Sequence, residues 1–411
     1  MSDKIIQFRK TIIKDLYFSG SLSLSELSIK TDKSIPHVTK ILSELKSSGA
    51  VVEDRISNTN VGRPAQMYSL KYDLQYIVAV AIDQHVMRIA IFDMNNKLVG
   101  KVSTFQIIIN KSITALRNIA DHILDFIEKS EVPNHKIAGV GIGMPGFIDL
   151  NTGINHSYFK DGEGRSIVTF LESILNLTVF IDNDSSLIAL AECKFGIAKN
   201  RKNVMVINIC WGVGLGMILN GSIFHGENGF AGEFSHLPLF SNNKICGCGK
   251  MGCLETEASL LVIVQKAIDG IQHGNPTILQ GLSIDNLDNT SKKIIDAAIG
   301  GDKFSVDLIS KAGYNIGRGI AILIHLLNPE LIVISGRGSR AGKLWLAPIQ
   351  QALNEHCIPK IAEGVEIRIS NLGYGAELLG AAALVMENFN KTENPKPQKR
   401  IKKNISKILI S

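Results

Sequence analysis

Between Gly232 and Glu255 the sequence reads GEFSHLPLFSNNKICGCGKMGCLE, which sets His236, Cys246, Cys248 and Cys253 at the spacing H-x9-C-x-C-x4-C. Three thiolates and an imidazole are the donor set that closes a tetrahedron around one zinc ion. Gly247, Gly249 and Gly252 give the loop the freedom to wrap it. Two cysteines in C-x-C would equally suit a disulfide or plain structural thiols; four donors within eighteen residues point to Zn2+, one per chain. A closed four-ligand site keeps no position for an activated water, so the ion would be structural. Glu233 and Glu255 flank the set and would be held beside it. A second acidic group, Asp182-Asn183-Asp184, ends a β-type run and precedes a helical pattern. By itself Asp184 reads as the N-cap of the helix from Ser185 to Phe195 rather than as a functional carboxylate.

The elements that must position these groups begin at Tyr76. YIVAVAI, MRIAIFD and KLVGKVSTFQI read as three antiparallel strands, followed by a helix from Ser112 to Lys129 and the buried strand IAGVGIG leading into Met144-Pro145-Gly146. A further helix precedes TVFIDND, and the helix Ser185 to Phe195 follows it. The pattern restarts near residue 203 with the paired strands NVMVINI and VGLGMIL. Two similar α/β lobes with a cleft between them follow, and ligands in such sheets sit beyond the carboxyl ends of strands, where Asp182-Asn183-Asp184 lies. After the metal loop the expected elements are helices Glu255 to Ala267, Lys292 to Gly300 and Phe304 to Leu327, strand LIVISG, the turn Gly336-Arg337-Gly338, strand VEIRISNL and a helix from Ala376 to Met386.

The first seventy residues have a different grammar. Ile5, Ile12, Ile13, Leu16 and Tyr17 recur with helical period up to Ser19-Gly20. Ser23-Leu24-Ser25-Glu26 is a capping box for a second helix, with Leu24 and Leu27 on its apolar side. Ser34 is placed to cap a third, with Pro36 in its first turn and Ile35, Val38, Ile41, Leu42 and Leu45 as the buried stripe. Its opposite face carries Ser34, His37, Thr39, Lys40 and Ser43, the polar residues that would meet base edges and phosphates of double-stranded DNA in a helix-turn-helix. Val51 to Glu53 and Met67 to Leu70 read as strands around a polar loop, which makes the unit winged, and Arg63 in Gly62-Arg63-Pro64 would reach the minor groove. A three-helix docking module with an incidental loop is the plainer alternative.

Charge placement agrees with a polyanion partner. Of the net +6, residues 1 to 72 carry 11 Lys and Arg against 7 Asp and Glu, and residues 389 to 411 carry 7 against 1, which leaves the body at −4. The last stretch is expected to be a basic flexible tail, although charged tails are often simply solvated. No run of eighteen apolar residues occurs and the first residues do not form a leader pattern, so a cytoplasmic protein without a membrane span is expected. Cys193, Cys210 and Cys357 stand in apolar contexts that suit reduced thiols.

These motifs resemble the ROK family of repressors, open reading frames and kinases. The resemblance rests on Gly232 to Glu255, Gly141-Ile142-Gly143-Met144-Pro145-Gly146, Asp182-Asn183-Asp184 followed by Ala189-Leu190-Ala191-Glu192, and Asn228 to Glu233; Ser235 departs from the glycine usual before the histidine. It implies an α/β fold in which an N-terminal winged helix-turn-helix (residues 1 to 72) precedes a two-lobed actin-like, sugar-kinase body. The lobes would be 73 to 185, joined by the last helix at 375 to 388, and 186 to 374 with the zinc loop. It further implies that the position of Asp184 is the general base in the kinases, and that Asn183, Asp184, Glu233, His236 and Glu255 hold sugar hydroxyls.

The nucleotide side departs from the kinases. Their D-x-G-G-T element aligns with Ala81 and Asp83-Gln84-His85, and their G-T-G-x-G with Cys210-Trp211-Gly212-Val213-Gly214. Side chains and an acid stand where polyphosphate would lie, which disfavours ATP. The resemblance thus leads to a repressor of carbohydrate-utilisation genes, binding operator DNA as a homodimer or higher oligomer and a sugar or sugar phosphate as effector. An ATP-dependent sugar kinase with an appended DNA-binding domain, and a repressor set by a regulatory protein partner, are the rivals.

Overall fold

The computed structural model describes residues 3–55, 66–109, 112–159 and 166–391. The Arg63 loop tip and the tail beyond residue 391 lie outside the described residues.

The N-terminal unit comprises α1 (Asp3–Ser19), β1 (Ser21–Ser23), α2 (Leu24–Thr31), α3 (Ile35–Ser47), β2 (Val51–Arg55) and β3 (Gln66–Leu70). The capping box forms as the spacing requires: the Glu26 backbone N–H donates to Ser23 Oγ at 3.3 Å and the Ser23 N–H to Glu26 Oε2 at 2.7 Å. Asp32, in the left-handed region at φ 51°, turns the chain into α3. Val38, Ile41, Leu42 and Leu45 of α3 are buried against Phe8, Ile12 and Leu16 of α1. Two expectations need correction here. Ile35 is 49 % exposed, because it stands in the first helical turn before the apolar stripe reaches the core. Ser34 occupies the N-cap position without a side-chain cap bond; only its carbonyl engages, accepting from His37 and Val38 N–H. Strand β1, too short to announce itself, pairs with β3 and completes the sheet β1-β3-β2.

The body repeats one topology twice. In the first half, β4 (Tyr76–Ile82), β5 (Val86–Asp93) and β6 (Leu98–Gln106) form an antiparallel meander. After α4 (Ile113–Lys129), β7 (Ile137–Met144) joins β4 in parallel. The short pair β8 (Ile148–Asp149) and β9 (Ile154–Asn155) and α5 (Ile167–Leu175) then lead to β10 (Val179–Asn183), parallel to β7. Helix α6 (Asp184–Lys194) crosses to the second half, where β11 (Val204–Ile209), β12 (Val213–Leu219) and β13 (Ser222–Ile223) repeat the meander. Past the metal loop come α7 (Glu255–Ala258), α8 (Leu260–Gln272), α9 (Leu287–Ile299) and α10 (Lys303–Leu327). Strand β14 (Leu331–Ser335), helices α11 (Leu346–His356) and α12 (Pro359–Ala362) and strand β15 (Glu366–Ile369) follow, and α13 (Ala376–Glu387) closes the described fold. The sheet orders are β6-β5-β4-β7-β10 and β13-β12-β11-β14-β15.

Every residue of β5, β7 and β11 is buried, as Val/Ile runs covered on both faces require. Small residues let helices approach closely: a side chain on Gly141 of β7 would collide with the Ala381 carbonyl of α13, and one on Gly216 of β12 with the Ser185 carbonyl of α6. The continuous helix expected from Glu255 to Ala267 is broken at Ser259, whose backbone is extended (ψ 159°) and whose hydroxyl accepts from Val262 N–H to start α8. Helix α9 begins at Leu287 rather than Lys292, capped by Asn286, and α11 was not anticipated. Among the described residues no helix is long and apolar enough to cross a membrane.

Candidate effector cleft and metal-binding loop

Strand β10 ends at Asn183, and the Asn183 side chain, not that of Asp184, caps α6 by accepting from Ser185 N–H (2.9 Å) and Ser186 N–H (3.4 Å). Its amide donates to the Gly146 carbonyl at 3.3 Å, tying the cap to the turn after β7. Asp184 is thereby freed to face the cleft. Its Oδ1 accepts from Ser185 N–H at 2.7 Å and from the Ser185 hydroxyl at 3.1 Å, and Asn208 Nδ2 lies 3.5 Å from Oδ2. Burial raises the Asp184 pKa, against these hydrogen bonds and with the help of the Asp83 and Asp182 charges.

The cleft encloses about 480 Å³ and is lined from one side by Gly146, Tyr158 and Asp184 and from the other by Glu233, His236 and Glu255. Burial, then the charges of Glu255 and Asp184, push the Tyr158 phenol up, so it shares its space with both carboxylates. Burial also raises Glu233, against the pull of His236. All five residues named for sugar from the sequence, Asn183, Asp184, Glu233, His236 and Glu255, line this one cavity. Convergent acceptors with an oriented imidazole and a phenol are suited to polyhydroxylated molecules.

The metal loop forms the far wall. Pro238 bridges to Cys253 and Ile245 to Met251, and Gly252, at φ 75°, turns the chain where a side chain would strike the Phe240 carbonyl. His236, Cys246, Cys248 and Cys253 bring four ligand atoms within 4.8 Å of one another. The Cys248 and Cys253 sulfurs are 3.7 Å apart, and Cys246 Sγ is 3.5 Å from His236 Nδ1. A tetrahedral site with bonds of ~2.3 Å to sulfur has edges of about 3.8 Å, so the group fits a metal ion such as zinc. No cysteine is in a disulfide. His236 Nε2 points the other way, 3.6 Å from Glu233 Oε2.

Three pairings escaped sequence reasoning. Asp182 is buried and bonded to His225 Nε2 at 2.9 Å. Arg337 reaches across to Asp83 at 3.0 Å, lies over the Trp211 ring at 4.6 Å and the Tyr374 ring at 4.1 Å, and also pairs with Asp288. Trp211 Nε1 donates to the same Asp83 carboxylate at 3.3 Å. Asp182, Asp83, Trp211 and Arg337 each stood in a motif, but no spacing indicated which residues they would meet.

On α3, Ser34, His37, Thr39, Lys40 and Ser43 are all exposed. The His37 ring packs 4.7 Å from that of Phe8, and the Thr39 hydroxyl donates to the Ile35 carbonyl at 2.8 Å, leaving its lone pairs outward.

The sequence model of the ROK family matches residues 77–388. The chain belongs to the ROK family. A glucokinase of Halalkalibacterium halodurans is 36% identical over 282 residues, 67% of this chain and 85% of that one. The DNA-binding transcriptional repressor Mlc of Escherichia coli is 26% identical over 376 residues, 90% of this chain and 91% of its own. Among solved structures, a ROK family transcriptional regulator described as a homolog of the E. coli MLC protein superposes with a TM-score of 0.76 at 25% identity, covering 95% of this chain and 97% of that one. The ROK body thus has both kinase and repressor relatives, and the alignment with the repressors extends over more of this chain.

Proposed function

We propose that this ROK chain is a DNA-binding transcriptional repressor of carbohydrate-utilisation genes, released from its operator when a sugar fills the cleft. The observation that carries the reading is the joining of an exposed polar helix face, α3, to a carboxylate-lined cleft in one chain. Residues 1 to 72 are read as the winged helix-turn-helix, with α3 in the major groove and Ser34, His37, Thr39, Lys40 and Ser43 facing DNA, and Arg63 as the wing contact. The lobes are 73 to 185 with 375 to 388, and 186 to 374. Two copies reading a two-fold operator make the active species a homodimer. One zinc ion, held by His236, Cys246, Cys248 and Cys253, braces the wall that carries Glu233 and Glu255.

Asn183, Asp184, Glu233, His236 and Glu255 hold the sugar hydroxyls. Asp83, Asp184, Glu233 and Glu255 line the cavity, and among its described lining residues there is no lysine or arginine. That charge favours an unphosphorylated sugar over a sugar phosphate. The kinase reading is supported by the glucokinase relative, but Asp83, Arg337 and Trp211 fill with a bridged ion pair the place where the family's kinases cradle polyphosphate. The test is a mobility-shift titration with the DNA upstream of the chain's own gene, with and without D-glucose, N-acetyl-D-glucosamine and D-xylose. Specific binding weakened by one of them supports the repressor; ADP release with these sugars and no DNA binding would overturn it.

A further inference from the structure

The cleft and the N-terminal unit are joined by two helices that end at one carboxylate. Helix α6 begins with Asp184 in the cleft and, at 1.5 Å per residue, spans about 16 Å to Lys194. Residues 185 to 192 are all buried. The helix is wedged between the lobes: Leu187 abuts Gly380 of α13 so closely that a side chain there would strike its carbonyl, and Ser185 abuts β12, its carbonyl against Gly216 and its hydroxyl against Gly214. A displacement of its first turn therefore carries the whole helix. Helix α13 runs beside it, from Glu377, which pairs with Arg88 at 2.9 Å, to Glu387.

Glu387 is where the two meet α1. Its carboxylate pairs with Lys194 of α6 and with Lys14 of α1, and Lys14 Nζ also donates to the Glu387 carbonyl at 3.2 Å. Around this junction the Lys194 ammonium lies 4.8 Å from the centre of the Phe18 ring, and Phe195, just past α6, packs against Phe18 (5.8 Å) and Tyr17 (6.2 Å) of α1. A cavity of about 790 Å³, reaching from Asp182 and His225 to Lys194 and Glu387, borders the same flank and leaves room for movement.

Resting on the reading above, we propose that effector occupancy is transmitted to the DNA-binding unit by α6, and that the Lys194–Glu387–Lys14 junction is the coupling that turns a shift of Asp184 into a shift of α1. The geometry suits the task because α1 supplies the core on which α3 is packed, so a change in its seating alters how α3 is presented. Glu387 contacts neither the cleft nor the exposed face of α3, and so acts through the other groups.

Amide hydrogen exchange of α1, residues 3 to 19, in the full chain tests this. A sugar-independent push comes from Gly216→Ala, whose methyl would strike the Ser185 carbonyl and the Ala189 side chain of α6 while Gly216 does not line the cleft. Gly216→Ala is expected to change α1 exchange at least threefold, and in the Glu387→Gln or Lys194→Met background by less than 1.5-fold. Lys194→Met keeps the Lys14–Glu387 pair, which separates lost coupling from a loosened N-terminal unit. D-glucose, N-acetyl-D-glucosamine or D-xylose, whichever calorimetry shows to bind, should reproduce the pattern with sugar Kd within twofold of the parent. The inference is overturned if Gly216→Ala leaves α1 unchanged, or if its effect persists in both backgrounds. Failure of every sugar to bind would instead count against the sugar-responsive reading, with the glycine variant still deciding the coupling.

Discussion

His236 Nδ1 lies 3.5 Å from Cys246 Sγ, while Nε2 of the same ring lies 3.6 Å from the Glu233 carboxylate. One imidazole therefore belongs to the metal group by one nitrogen and to the cleft by the other. A ligating histidine usually has its second nitrogen engaged by a carboxylate, which fixes the ring. Here that carboxylate also faces the effector space.

Removing the ion should then loosen the sugar wall. Purified protein is expected to contain one zinc per chain by plasma mass spectrometry, and Cys246→Ser or Cys253→Ser to abolish it. Chelation is expected to weaken sugar binding at least tenfold by calorimetry, within the 10- to 100-fold range that perturbed metal shells produce. A metal-free protein with undiminished affinity would falsify the bracing role.

The Asp83–Arg337 pair yields a stability prediction. The two side chains are 13% and 12% exposed, and deleting Asp83 leaves the Arg337 guanidinium with the half-exposed Asp288 as its remaining carboxylate. Asp83→Ala should cost about 2 kcal/mol in chemical denaturation, below the ~3–5 kcal/mol of a buried pair broken to leave an uncompensated charge. Trp211 loses its acceptor in the same variant. A cost below about 1 kcal/mol would mean that the pair is solvated.

On the outer face of α3, Lys40 is exposed and, among the described residues, makes no ion pair. A phosphate contact by its ammonium would release one counterion, so Lys40→Ala should weaken operator binding at all sequences alike and reduce the salt slope by ~0.9. Titrations at three salt concentrations measure it. An unchanged slope would remove Lys40 from the interface.

What was legible from the sequence was whatever a local pattern can write. Ser23 and Glu26 are three residues apart, and their capping box forms. The metal group lies within eighteen residues and its atoms converge. The repeated meander showed in the alternation of Val and Ile runs with turns. Partnerships that depend on the lobes coming together had no such record: Arg337 and Asp83 are 254 positions apart, and His225 and Asp182 are 43. The break at Ser259 was hidden because an apolar helical period continues through it, while the extended serine is held by its own capping bond and its burial. The cap of α6 was assigned one residue late, since Asn183 and Asp184 are both good capping types and only the backbone turn chooses between them.

Asp184 itself gives the prediction with a definite sign. Burial raises its folded pKa above the unfolded value of ~3.9, so the folded chain holds this proton more tightly than the unfolded chain does. Over that window stability falls as pH rises, and the loss is complete once pH exceeds the raised value. Asp184→Asn removes the penalty while keeping the size and the Ser185 hydrogen-bond acceptor. The variant is expected to melt higher than the parent at pH 7.5, with the difference shrinking as pH is lowered towards 4. It should also lose most sugar affinity, because an amide is a weaker acceptor for hydroxyls than a carboxylate. Thermal melts at several pH values, paired with calorimetry, test both arms together. A variant that is less stable at pH 7.5, or whose difference does not vary with pH, would show that Asp184 is not the destabilising carboxylate that a binding site oriented towards sugar hydroxyls requires.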